Sequence, residues 1–110
     1  MSETAVINKI ETEEELMEVL LNENDPKFNI TKLCEELSEL QEVLLKYINK
    51  KPEKAPSKQA IVDEVGDVFL RLGVVIKQLE VEEDPIGERL DTKISKLIKY
   101  YNEGKYKGGL

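Results

Sequence analysis

The segment Leu33-Cys34-Glu35-Glu36-Leu37-Ser38-Glu39-Leu40 returns 28 residues later as Ile61-Val62-Asp63-Glu64-Val65-Gly66-Asp67-Val68. Acid falls on acid at 35/63, 36/64 and 39/67. Apolar falls on apolar at 33/61, 37/65, 40/68, 44/72 and 48/76. A self-similarity of this kind marks a repeated structural unit. In both copies the apolar residues recur at i, i+3, i+4 and i+7, the spacing of one face of an α-helix.

Between the copies lies Lys51-Pro52-Glu53-Lys54-Ala55-Pro56, whose two prolines exclude a continuous helix. The repeat therefore predicts two helices, about Ile30 to Asn49 with Asn29 as N-cap and about Lys58 to Glu80 with Ser57 as cap. A short linker folds such a pair back as an antiparallel hairpin. Upstream, Thr12 and Glu15 form a capping box for a helix to about Glu23, ended by Asn24-Asp25-Pro26. Downstream, Asp84 and Pro85 read as the cap and first residue of a fourth helix to about Glu103, stopped by Gly104. The tail after Gly104 is expected to be loose unless docked. No segment alternates with period two, so no sheet is expected. The reading is all-α: a four-helix, bundle-like subunit around a central antiparallel helical hairpin. The apolar stripes, such as Leu33/Leu37/Leu40/Leu44, Val65/Val68/Leu72/Val75 and Ile86/Leu90/Ile94/Leu97, are expected to form the core.

The chain has 110 residues, enough for one domain, 1–110, and too few for two. It has no Trp and is 5% aromatic, so Leu, Ile and Val must fill the interior. Cys34 is the only cysteine, which excludes an internal disulfide and fits a reducing, cytoplasmic setting. Its place beside an apolar stripe predicts a buried structural thiol. With no His and one Cys, a zinc site is disfavoured, and any metal must be held by oxygen: magnesium, manganese or calcium. The N-terminus has no signal-peptide pattern, and no apolar run approaches the ~20 residues of a membrane span. A net charge of −7 argues against a nucleic-acid polymer as partner.

The acids beside the stripes carry the chemistry. Glu36 and Glu39 lie three apart on one flank of the first repeat helix, and Glu64 and Asp67 on the same flank of the second. An antiparallel pair with facing stripes has an approximate two-fold axis perpendicular to the helices, which brings these flanks to one side. The midpoint between the two pairs falls at residues 51–52, inside the linker, so they meet at one level. Four carboxylates gathered without a cation repel. A divalent cation resolves that conflict, and magnesium, which keeps several waters, leaves positions open for phosphate oxygens. On the fourth helix Arg89, Lys93 and Lys96 share a flank, with Tyr100 one turn on. If this helix packs beside the hairpin, that flank would hold outer phosphates. The alternative is ordinary surface charge, to which Lys99 in the last turn belongs.

Glu35-Glu36-x-x-Glu39, then 24 residues, then Glu64-x-x-Asp67 resembles the E-E-x-x-E…E-x-x-D signature of the MazG-like nucleotide pyrophosphohydrolases, within the all-α NTP pyrophosphatase superfamily. Arg89-Leu90-x-x-Lys93-Ile94-x-Lys96-Leu97, with Gly104 and Tyr106, resembles the family's basic closing segment. The likeness covers roughly residues 28–107. It implies a helical subunit assembling as a homodimer or homotetramer. It implies Mg2+, or Mn2+, held by Glu36, Glu39, Glu64 and Asp67, with Glu35 as a further ligand or water-orienting acid. It implies hydrolysis of a nucleoside triphosphate between the α and β phosphates, to monophosphate and pyrophosphate. A deoxy or non-standard nucleotide is the expected substrate, and a spare carboxylate, Glu35 or Glu39, is expected to take the proton of the attacking water. The first helix has no match to a base-reading residue of the family. A second reading is a non-catalytic helical oligomer whose acids bind a divalent cation or a basic partner.

Overall fold

Caps and prolines set the element boundaries of the computed structural model, which describes residues 9–105. Helix α1, Glu13–Asn22, opens on the expected capping box. Thr12 Oγ1 accepts from the Glu15 backbone N–H at 3.1 Å, and Glu15 Oε1 accepts from that of Thr12 at 3.0 Å. Helix α2, Pro26–Asn49, starts a turn earlier than expected. Asp25 caps it by accepting from the Phe28 N–H at 2.8 Å, and Pro26 occupies the first turn, where its missing N–H costs nothing. Asn29 is therefore not a cap; it lies inside α2 and is 1% exposed.

One turn of 3-10 helix, Pro52–Lys54, follows, and then α3, Lys58–Gln78, capped as expected by Ser57 Oγ accepting from the Ala60 N–H at 3.1 Å. Helix α3 stops on Glu80, a non-glycine residue in the left-handed region at φ 54°. Helix α4, Glu83–Asn102, also departs from expectation at its start. Glu82, not Asp84, is the N-cap, with no side-chain capping bond, and Pro85 sits inside the first turn. Its end is as expected: Gly104 adopts φ 72°, its N–H donates to Tyr101 O, and the Lys105 N–H donates to Tyr100 O. That pair of bonds closes the helix in the Schellman manner. Tyr106 and the rest of the tail lie outside the described residues. Among the described residues there is no strand, and no helix is long and apolar enough to cross a membrane.

The chain forms two units, Met1–Glu80 and Val81–Leu110. In the first, α2 and α3 pack along their lengths as an antiparallel hairpin, and α1 lies on α3. Val68, Val74 and Val75 of α3 form its buried centre. The second unit is α4.

Much of the expected core is not covered within one chain. Leu37, Leu44, Leu72 and Leu79 of the hairpin are exposed, and Ile48 is 71% exposed. On α4, Ile86, Leu90 and Ile94 are exposed. Cys34, expected to be buried, is exposed as well. The physical reason is layer count: two helices share one seam and bury little beyond it, and the short α1 covers only part of α3.

Candidate metal centre

The hairpin's register can be followed from one bond. Asn29 Nδ2 donates to Gln78 Oε1 across the α2–α3 seam and also to Leu20 O at the end of α1, at 3.1 Å. Seven residues along each helix, close to two turns, this pairing sets Glu36 of α2 opposite Arg71 of α3. Asp67 and Glu64 follow at successive turns toward the 3-10 linker, while Glu39 advances on α2 in the same direction.

The acids of the two repeat copies meet there. One carboxylate oxygen each from Glu36, Glu64 and Asp67 lies within 4.8 Å of the others. Glu36 and Glu64 are half-buried and Asp67 is exposed. Oε2 of Glu36 and Oε2 of Glu64 are shielded from solvent and have no hydrogen-bond partner. Two acceptors in that condition, with a third oxygen beside them, form a donor set short of a cation. Octahedral magnesium at 2.0–2.1 Å from its ligands sets neighbouring oxygens about 2.9 Å apart and opposite ones about 4.1 Å apart. Small side-chain rotations would close the trio onto such an ion. All three donors are hard oxygens, as magnesium or manganese prefers.

Glu39, the fourth expected ligand, stands at the edge of this trio rather than in it. It is exposed, yet after burial its charge is the largest influence on both half-buried acids. The Glu36 carboxyl is raised above its ordinary value of 4.5, first by partial burial, then by the charges of Glu39 and Asp67, with Arg71 opposing. Glu64 is raised for the same leading reasons, burial and then Glu39 and Asp67. Glu39 is also within reach of Glu64 for a shared proton. The mutual repulsion expected from the sequence is therefore present.

Glu35 points elsewhere. It is exposed and pairs with Lys32 at 3.3 Å along its own helix. Its counterpart in the repeat, Asp63, accepts from Gln59 Nε2 at 2.8 Å in the same outward manner. Arg89, Lys93, Lys96 and Tyr100 all belong to α4, in the second unit. There Lys96 stands over the Tyr100 ring at 5.6 Å and Lys105 at 5.9 Å, so Tyr100 gathers cations on its faces.

Sequence reasoning missed Arg71. It is one turn beyond Asp67, half-buried, with Nη1 shielded and unpartnered. A signal was available: the repeat aligns Arg71 with Val43, and a cation replacing an apolar residue beside four acids marks where the copies diverge. The sequence offers Asn29 as a cap, whereas in the fold its buried Oδ1 lacks a partner.

No family model matches the chain, and no curated protein or solved structure is similar enough to it to count as a match.

Proposed function

We propose that the chain is a magnesium-dependent nucleoside triphosphate pyrophosphohydrolase of the MazG-like kind, cleaving between the α and β phosphates and working as a homo-oligomer. The observation that carries this reading is the meeting of Glu36, Glu64 and Asp67 within 4.8 Å across an antiparallel hairpin, two of them with shielded, unpartnered oxygens. The resemblance of Glu35-Glu36-x-x-Glu39…Glu64-x-x-Asp67 to the family signature supports the assignment of substrate and bond.

Glu36, Glu64 and Asp67 would hold the cation, with Glu39 completing the set or facing the attacking water. A bound magnesium ion supplies Lewis-acid polarisation of a phosphoryl oxygen and a lowered pKa for water. The chain's own groups do the rest. Half-burial of Glu36 and Glu64 fixes their carboxylates and thins the water around them, which strengthens every charge interaction there. Glu39 is exposed beside them and is the better placed of the two candidate bases, because Glu35 is engaged with Lys32. As water adds to the α phosphorus, its proton passes to a Glu39 carboxylate oxygen, the bond from the α phosphorus to the bridging oxygen breaks, and pyrophosphate leaves with that oxygen.

The uncovered apolar surface supports the proposed assembly. Leu37, Leu44 and Ile48 lie on one face of α2, and Val62 and Phe69 on one face of α3, all exposed in the single chain. Contiguous apolar faces of this kind mark contact surfaces, and a second copy presents the same faces.

The test is pyrophosphate release from a panel of canonical and modified deoxy- and ribonucleoside triphosphates, with and without magnesium. Equal amounts of monophosphate and pyrophosphate, dependent on the cation, are expected. Release of orthophosphate instead would move the cleaved bond. No release from any substrate at micromolar protein, with magnesium still bound, would leave a non-catalytic cation-binding oligomer.

A further inference from the structure

The unpartnered atoms at the centre of the hairpin come in both signs. Oε2 of Glu36 and Oε2 of Glu64 are shielded acceptors without a donor, and Nη1 of Arg71 is a shielded donor without an acceptor. The register of α2 against α3 sets Arg71 opposite Glu36, and helix periodicity sets it one turn from Asp67. A guanidinium placed only to neutralise these acids would close a two-pronged pair on one of them, the geometry that arginine and carboxylate favour. Here Nη1 remains unsatisfied instead.

No simple ion satisfies all three atoms. A cation alone meets the two carboxylate oxygens and is repelled by Arg71. An anion alone meets Arg71 and is repelled by the acids. A phosphate ester bound together with a divalent cation meets both demands, because its non-bridging oxygens reach the cation and the guanidinium at once. We infer that Arg71 is a substrate-binding residue: its guanidinium grips a non-bridging phosphoryl oxygen of the triphosphate, on the hairpin itself and beside the acids. This rests on the pyrophosphohydrolase reading and adds to it a phosphate contact belonging to the same unit as Glu36, Glu64 and Asp67. The competing role is plain charge compensation, in which Arg71 only eases repulsion among the acids.

The two roles separate in binding measurements that need no turnover. Isothermal titration of the full chain is run with MgCl2 alone, then at saturating magnesium with the α,β-methylene analogues of dATP, dCTP, dGTP and dUTP. Wild type, Arg71→Gln and Arg71→Lys are compared. A charged hydrogen bond lost without replacement weakens binding about 10- to 100-fold. The expected result for Arg71→Gln is a loss of that size for the analogue, with magnesium bound as well as or better than in wild type. Arg71→Lys, which keeps the charge and loses the fork, should lie between. Unchanged analogue affinity in Arg71→Gln, with tighter magnesium binding, would overturn the inference in favour of charge compensation. Should Arg71→Gln fail to fold, Arg71→Lys decides: analogue binding as tight as wild type overturns the inference, and a several-fold loss supports it. A wild-type chain that binds magnesium and no analogue overturns the hydrolase reading itself, and the phosphate grip with it.

Discussion

Replacing Glu64 with Gln should stabilise the metal-free protein and remove most of its response to magnesium. Glu64 is half-buried, has a shielded Oε2 with no partner, and faces Glu39, Asp67 and Glu36. Its carboxyl and that of Glu36 lie above 4.5 in the fold. In the unfolded chain both return to about 4.5. Folding therefore takes up protons between pH 4.5 and the raised values. The stability these two groups contribute is complete below 4.5 and is lost as pH rises through the folded values. At pH 7.5 the metal-free fold carries more of this repulsion than at pH 4.5. The glutamine amide keeps the shape and has no charge. In EDTA at pH 7.5 the variant should melt above wild type, and the gap should close as pH falls toward 4.5. Magnesium at 100 times its dissociation constant stabilises a protein that binds it only when folded by about 2.7 kcal/mol. For a domain of this size that raises Tm by roughly 10 °C. Wild type should show a rise of that order and Glu64→Gln only a small part of it. Scanning calorimetry at fixed protein concentration, with EDTA or MgCl2 from pH 4.5 to 7.5, reads both effects. A variant that melts below wild type in EDTA, or that keeps the full magnesium shift, would refute the assignment of Glu64 as a ligand in a repulsive cluster.

Three further outcomes test the scaffold. Val74→Ala deletes two methyl groups from a side chain with 0% exposure and should cost about 2–3 kcal/mol in urea unfolding, transfer and cavity terms together. Glu80→Gly should relieve a left-handed residue at the end of α3. About 1 kcal/mol of strain, less the added freedom of the unfolded chain, leaves a net gain near 0.5 kcal/mol, measurable as a shift in urea midpoint. Phe69→Asp places a charge on a side chain that is 70% exposed in the single chain. If a second copy covers it, light scattering after gel filtration should show a fall in mass to the monomer; an unchanged mass would place the contact on another face.

The helices and the hairpin were legible because each rests on a local signal. The Thr12/Glu15 capping box, Ser57, the Pro52/Pro56 break and Gly104 all act where the sequence says they do. The misread starts are cases of two adequate signals in competition. Asp25 before Pro26 outranks Asn29, because Pro in the first turn sacrifices no helix bond and Asp25 can then accept from Phe28. At α4 the same logic misleads, since proline is tolerated anywhere in the first turn, and the helix begins at Glu83. Burial was less legible. A stripe such as Leu37/Leu44/Ile48 records that a face is apolar and says nothing of what covers it. Cys34 was misjudged for that reason. The convergence of Glu36, Glu64 and Asp67 was legible from the repeat, because helix period and antiparallel return are properties of the backbone. Arg71 was less so, because its placement opposite Glu36 depends on the register of α2 against α3.

The repeat alone would make the site symmetric, with Glu36 matched to Glu64 and Glu39 to Asp67. The structure departs from that symmetry in two places. Asp67 enters the trio while Glu39 stays outside at the edge. Arg71 carries a charge where its counterpart, Val43, carries none. Both departures distinguish the α3 side from the α2 side. A bare cation has no direction and gains nothing from such a difference. A triphosphate is directional, with a leaving pyrophosphate at one end and a nucleoside at the other, and its hydrolysis needs water on the side opposite the leaving group. A cationic residue on α3 and an exposed carboxylate on α2 supply two such unlike sides. The asymmetry thus argues for a directional oxyanion ligand over simple cation storage. The variant Val43→Arg would put that argument at risk: a second guanidinium on the α2 side should weaken binding of the bare cation without tightening the triphosphate analogue. Tighter analogue binding in that variant would show that charge at the hairpin, and not its placement, governs recognition.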